Sequence, residues 1–362
     1  MAIKQPNIDI AFKQKATSSI EKSERGIAIL ILKNDETSGC PDYAVYKEVT
    51  EYETVKDKYN AENQKAITDV FTFPPSKVIV VNSDTVSNAL IEIEKNIPTG
   101  WITVENGTSE DFATLTSWTK SKEAKKRTYK AITYNTTSTD CKHIVNNTNP
   151  KVEFIDNRGK VDAIQYLPSL LGIAAYCGGN NRSMTYFKCT NLKSVEGFSD
   201  IDVELAKGNL VMFNDTDCVR ICQGINTLIT YDGETATEDM SFIETVEVMD
   251  MIQDDIRDVF KETYLGTYKN KLDNQILFIS SINSSYFSEL MDKDRLDPEY
   301  ENVASINVET QRKAWIASGK TEANDWDDAK VKNSTFKRDI YLAGDVKILG
   351  SMTNLKFDIS LF

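Results

Sequence analysis

From residue 77 to residue 145 the apolar positions switch regularly between two periods. KVIVVN, GWITVEN and TYKAITYN are short apolar runs of strand length. TVSNALIEIEKNI and SEDFATLTSWTKSKEAKKR between them carry helical stripes. The pattern predicts strand, helix, strand, helix, strand, that is, a parallel βαβαβ unit, with Thr108 and Asp111 placed to cap its second helix. Gly26 opens a continuous apolar run to Leu32, as expected of a strand covered on both faces. Residues 209–230 read as two strands joined by a turn at 214–217.

The second half is organised around one amphipathic helix, residues 241–270. Met249, Ile252, Ile256, Val259, Phe260 and Tyr264 recur at three- and four-residue steps and are expected to face the interior. Asp250, Asp254, Asp255 and Asp258 are expected on a solvated face. Ser241 and Glu244 have the spacing of a capping box, and Gly266 lets the chain leave the helix. A second helical stripe follows over 273–290, then a strand at 303–309, a helix at 310–318 ended by Gly319, and a charged segment at 322–332. Strands are expected at 340–342, 346–349 and 354–362, so this half is α+β. Near the start, Ile8, Ile10 and Phe12 alternate with polar or small residues as an isolated half-buried strand.

Composition narrows the function more by exclusion than by signal. A chain of 362 residues with 40% hydrophobic and 27% charged residues can bury a large core. Its net charge of −13 argues against wrapping nucleic acid or lying on an anionic membrane. The densest basic run, residues 120–130, reads as a solvated helix end. No apolar run approaches the length of a membrane span, and a cytoplasmic protein is expected. The six cysteines, including Cys218 and Cys222 in CVRIC, read as buried free thiols, because zinc would lack ligands in a chain whose one histidine is His143. That histidine follows Cys141 by two residues and reads as a polar strand end. No phosphate loop is found, since Asn82 to Thr85 contain no glycine where a nucleotide turn needs one. Gly319-Lys320-Thr321 has Ala314 where the first glycine of a phosphate loop should stand. No serine elbow or selected carboxylate pair completes a catalytic set. Neither a cofactor nor a metal site is predicted.

Several separated stretches nevertheless resemble one family, the tail sheath proteins of contractile phage tails and phage-tail-like bacteriocins, in the short form of Gram-positive hosts. They are PNIDIAF with Glu24-Arg25-Gly26-Ile27-Ala28 near the start, and Val219-Arg220-Ile221 followed by Gly224-Ile225-Asn226-Thr227-Leu228. The long helix continues the likeness through Asp250-Met251-Ile252, Ile256 and Tyr264-Leu265-Gly266, then Asn270 and Asp273-Asn274. Gln311-Arg312, Trp315 and Gly319, and then Lys347-Ile348-Leu349 with Met352, complete it. Around that methionine the family tends to have acidic residues, and this chain has Gly350-Ser351 and Thr353-Asn354. Residues 33–200 match in architecture only.

The resemblance implies a structural, non-enzymatic subunit that stacks with itself as hexameric rings around an inner tail tube. It further implies baseplate and tail terminator proteins as partners, with no nucleic acid bound directly and no membrane insertion. On this basis the chain divides into an N-terminal arm (1–20), an α/β domain (21–240), a C-terminal α+β domain (241–345) and a C-terminal strand arm (346–362). The arms are expected to complete sheets in neighbouring subunits through Ile8, Ile10, Phe12, Leu355, Phe357, Ile359 and Leu361. Arg312, Lys313, Lys320, Lys330 and Lys332 are candidate contacts to the inner tube. Two alternatives remain: an enzyme with a flavodoxin-like domain, and a non-contractile tube or shell protein.

Overall fold

The computed structural model describes residues 20, 23–137 and 139–361. Two compact units are distinguished, one formed within Lys22–Asp254 together with Leu349–Phe362, the other built on Asp255–Ile348. We call them the sheet unit and the helical unit. The division falls inside the long helix, at 254/255, rather than before it.

The sheet unit begins with β1 (Ile27–Lys33), β2 (Tyr43–Tyr46) and the short α1 (Val49–Glu53), followed by α2 (Ala61–Phe71). The regular alternation then runs β3 (Lys77–Ser83), α3 (Val86–Asn96), β4 (Gly100–Val104), α4 (Ser109–Ala124), β5 (Tyr129–Tyr134) and β6 (Ile144–Asn147). β7 (Lys151–Phe154), β8 (Lys160–Asp162), α5 (Leu167–Gly179) and β9 (Leu192–Val195) come next. After α6 (Ile201–Ala206) and β10 (Asn209–Leu210), β11 (Met212–Asn214) and β12 (Val219–Ile221) form the expected hairpin.

The main sheet has the order β10-β6-β5-β4-β1-β3-β2 and is parallel except for β2 at its edge. β1 is an interior strand between β4 and β3, with Ala28 to Leu32 fully buried, because α2 and α5 cover one face while α3 and α4 pack together on the other. An all-apolar run needs a cover on each side, and this one has it. Thr108 and Asp111 form the capping box of α4. Gly172 of α5 faces the carbonyl of Val70 in α2 so closely that a Cβ would collide with it. β7, β8 and β9 make a separate antiparallel sheet.

The long helix, α7 (Ile243–Val259), is shorter than expected. It widens into a single π turn at Phe260–Tyr264, and Gly266, at φ 75°, turns the chain away. The expected capping box does not form. Ser241 instead ends a 3-10 turn and donates its hydroxyl to Leu228 O, while the Glu244 carboxylate accepts from Ser351.

The helical unit contains the last turn of that helix, α8 (Leu272–Ser281), a second π turn at Ile282–Phe287 and α9 (Ser288–Asp292). β13 (Val303–Ile306), α10 (Val308–Ala317), α11 (Asp328–Asn333) and β14 (Leu342–Asp345) complete it. Among the described residues β13 and β14 pair only with each other. Of the expected late strands, 346–349 is reduced to one bridge between Ile348 and Leu296, and 354–361 forms no strand, because among the described residues nothing pairs with it. Ile276 of the second stripe is exposed, its place in the core being taken by Gln275 and Phe278. Among the described residues no helix is long and apolar enough to cross a membrane.

Candidate functional site: a buried charge network and an unpaired terminal segment

The aspartates of α7 correct the sequence reading. Asp250, Asp254 and Asp255 are 4%, 1% and 0% exposed, and Asp258 is the one whose side chain reaches solvent. Glu247, Asp250 and Asp254 follow one another at three- and four-residue steps, so they stack on a single helix face. Donors from the sheet meet that face. Asp254 Oδ2 accepts from Arg25 Nη2 at 2.8 Å and from Thr128 Oγ1 at 2.6 Å. Asp250 faces Lys130 Nζ at 2.7 Å and His143 Nε2 at 2.9 Å. Glu247 accepts from Trp101 Nε1 at 2.7 Å and lies 3.4 Å from Lys130. Met249, Ile252 and Ile256, expected inside, are only half-buried.

His143 is therefore not a polar strand end but a 3% exposed member of this network, with Nδ1 3.0 Å from Glu123 Oε2. Burial disfavours its charge, yet the Asp250 and Glu123 carboxylates outweigh that and raise its pKa. For Asp250 burial likewise opposes ionisation, and Lys130 and His143 overcome it, holding the group far below the usual carboxylate range. Lys130 stays charged for the same reason, despite being 2% exposed. Nor is the basic run a solvated helix end throughout, since Lys122 is buried against Glu94. Cys141 lies 2.9 Å from Glu123, and burial together with that carboxylate keeps it a thiol. Both ring nitrogens of His143 are committed to carboxylates, so neither is placed to activate Cys141.

The Gly224 to Leu228 motif pins the approach to α7. Asn226, 1% exposed, donates to Met240 O and accepts from Leu228 N. Thr227 Oγ1 donates to Cys141 O, and its amide bonds Ile144 O beside β6. A Cβ on Gly224 would press on Met184 and the Thr185 amide. Arg25 and Gly26 of the early motif have equally local reasons. Arg25 holds Asp254, and Gly26, at φ 77°, leaves no room for a side chain against Ser76 and Ala175.

A ligand in an open parallel sheet would sit beyond the strand ends where the order reverses, here between β1 and β4. Protein groups span that crevice. Lys33 at the end of β1 pairs with Asp111 of α4 at 2.6 Å, and Asp35 accepts from Asn63 Nδ2 at 2.7 Å and from two backbone amides. Glu105, just after β4, lines a small cavity of about 120 Å³ with Asp69 and Arg158. Its Oε2 is buried without a partner, and burial, with the charges of Asp69 and Glu62, raises its pKa to about 8. Among the described residues the one grouping with metal-ligand spacing is Asp215, Asp217 and Cys218 at the β11–β12 turn, where Asp215 is already bound to Arg220 at 2.7 Å. Cys40, Cys218 and Cys222 are half-buried rather than buried.

The expected contact residues are distributed unevenly. Leu355, Phe357, Ile359 and Leu361 are 89%, 75%, 70% and 94% exposed. Ile8, Ile10 and Phe12 lie outside the described residues. In the helical unit, Arg312 turns inward, donating to Trp326 O and to Asp328 at 2.8 Å. Lys320 and Lys330 lie over the Trp326 ring, at 5.3 and 5.1 Å. Lys313 pairs with Glu309 one turn away and projects outward, as does Lys332. Sequence reasoning missed the acidic stripe of α7. Its signal was the helical spacing of Glu247, Asp250 and Asp254 on the same face as Val246 and Met251.

Residues 235–362 match the family model for the phage tail sheath C-terminal domain. A protein of Clostridium phage phiCD119 described as a tail sheath protein is 26% identical over 369 residues, covering 98% of this chain and 99% of its own length. The crystal structure of a sheath tail protein from Desulfitobacterium hafniense shares the fold at a TM-score of 0.66 and 13% identity, covering 83% of this chain and 94% of that one. The helical sheath of the anti-feeding prophage, determined in its contracted state, aligns at a TM-score of 0.69 with 10% identity over 99% of both chains.

Proposed function

We propose that this chain, which belongs to the phage tail sheath protein family, is the repeating subunit of a contractile sheath. In this reading it polymerises as stacked hexameric rings around an inner tube and contracts to drive the tube through a target envelope. One observation carries it beyond the family likeness: a terminal segment with four large, exposed apolar side chains leaves a folded core that also bears a two-stranded sheet, β13–β14. An exposed segment of alternating apolar residues is an aggregation hazard unless another chain pairs with it. The C-terminal segment of one subunit would add to that sheet in its neighbour. Assembly takes place in the host bacterial cytoplasm, with the tube, baseplate and terminator proteins as partners. Contraction then draws on free energy stored in subunit contacts at assembly.

Negative-stain microscopy of the purified chain at rising concentration tests this. Tubes that occur in two lengths per ring support it. Tubes of one fixed geometry favour a non-contractile shell, and a monomer or dimer at all concentrations favours the enzyme alternative.

A further inference from the structure

The C-terminal end of α4 and the loop before β6 surround a cavity of about 390 Å³ with His143 and Asp250 among its lining residues. Its rim is basic. Lys126 and Arg127 are exposed, Lys142 is half-exposed on the facing loop, and none of the three has an ion-pair partner among the described residues. Cations at a helix C-terminus can serve the helix dipole, but that effect fades within the last turn and does not account for Lys142, which belongs to another segment. The acids of the cavity have partners of their own: Asp250 faces Lys130 and His143, Glu123 faces His143, and Asp140 accepts from the amides of Ile229 and Thr230. In a chain of net charge −13, the rim is a local positive patch whose three cations are not held in a close ion pair among the described residues.

The complementary feature lies on the same unit. From Cys222 to Ile256 there is no lysine or arginine, and within that stretch residues 231–239 form an exposed loop carrying Asp232, Glu234, Glu238 and Asp239. The loop is preformed, because Asp232 Oδ1 accepts from the amides of Glu234, Thr235 and Ala236 at 2.9, 2.7 and 2.8 Å. Asp140, at the cavity, holds the root of the same loop through Ile229 and Thr230. Its acids nevertheless form no ion pair with the rim of their own chain among the described residues. The chain thus carries an ordered acidic knob and a basic-rimmed hollow that form no ion pair with each other among the described residues.

We propose that the basic rim formed by Lys126, Arg127 and Lys142 receives the acidic 232–239 loop of a second copy of the chain. Every copy carries one knob and one hollow, so a copy whose hollow is filled still offers its knob, and a contact made one way is head-to-tail and repeats around a ring or along a helix. The inference rests on the self-assembly reading above. It adds a salt-sensitive contact separate from the terminal segments.

Charge exchange tests it. Variant one carries K126E and R127E, and variant two carries E234K and E238K. Each alone should associate at least about tenfold more weakly than the parent chain in sedimentation velocity at low salt. Mixed together, the two should recover heteromeric association, because the acidic hollow of one meets the basic knob of the other and the reverse contact is also matched. Failure of the mixture to associate better than either variant alone overturns the proposal, as does unweakened association of the single variants. K142E paired with E234K repeats the test if a double variant loses its native circular dichroism. The heteromer is read whether or not the parent chain builds tubes, so failure of the sheath reading and failure of this contact remain distinguishable.

Discussion

Arg25 and Asp254 stand 229 residues apart in sequence and 2.8 Å apart in space, with side chains 8% and 1% exposed. Removing one partner of such a pair strands the other's charge in the interior, at a cost of about 3–5 kcal/mol. Asp254→Ala should therefore lower the stability of the sheet unit by about that amount, read as the midpoint of urea unfolding. Asp258→Ala, on the same helix but with a 44% exposed side chain beside Arg257, should change it by no more than about 0.5 kcal/mol. Equal effects of the two substitutions would contradict the burial assigned to Asp254.

This pair also marks the limit of what the pattern of residues discloses. Strand and helix periods at 77–145 identified β3, α3, β4 and β5, because each run is either wholly covered or has one apolar stripe, and α4 through its capping box, since its buried face mixes Phe112 and Leu115 with Thr116, Thr119 and Lys122. The sequence gives no sign that β1 inserts between β3 and β4, since sheet order depends on crossovers and not on local pattern. Counting aspartates as solvent-facing failed on α7. A carboxylate enters a core when cations wait there, and Arg25, Lys130 and His143 are supplied by segments more than a hundred residues away. The inward turn of Arg312 was hidden in the same way, for its acceptors are carbonyls that only the fold brings near.

Glu105 should make stability depend on pH. Its pKa rises from 4.5 to about 8 in the folded chain, chiefly through burial. A carboxyl raised on folding contributes stability that is fully present below its unfolded value and is lost as pH climbs through the folded one. The expected loss therefore spans pH 4.5 to about 8, with a slope of at most about 1.4 kcal/mol per pH unit. Glu105→Gln keeps a neutral group in place and should flatten that segment of the profile. The variant should match the parent chain below pH 4.5 and exceed it above about pH 8. A parallel, unflattened profile would show that Glu105 ionises freely in the folded state.

Arg312 and Lys313 are neighbours with different expected roles. Arg312→Ala removes donors to Trp326 O and Asp328 and should destabilise the helical unit by about 1–3 kcal/mol, with altered fluorescence from Trp315 and Trp326, whose rings lie 6.1 Å apart. Lys313→Glu, at an exposed pair with Glu309, should leave stability within about 0.5 kcal/mol. If this region meets the inner tube, Lys313→Glu and Lys332→Glu should weaken assembly on the tube more at low salt than at high salt. No salt-dependent change would remove these two lysines from that interface.

The terminal segment offers the sharpest separation of folding from assembly. Leu355, Phe357, Ile359 and Leu361 are so exposed that their removal takes almost nothing from the core. Burying four such side chains against a neighbour contributes roughly 6–12 kcal/mol. Fixing the backbone of some nine residues costs on the order of 9–18 kcal/mol, so the segment orders only where the acceptor also supplies backbone hydrogen bonds. Among the described residues β14 pairs only with β13, and its other edge can supply such bonds. Deleting residues 354–362 should thus leave a soluble, folded subunit with an unchanged thermal unfolding midpoint that builds no tubes at any concentration. Replacing Phe357 and Ile359 together by serine should have the same effect with the chain length preserved. Tubes of normal appearance from either variant would refute strand donation, and a lowered midpoint would show that the segment is held by its own chain.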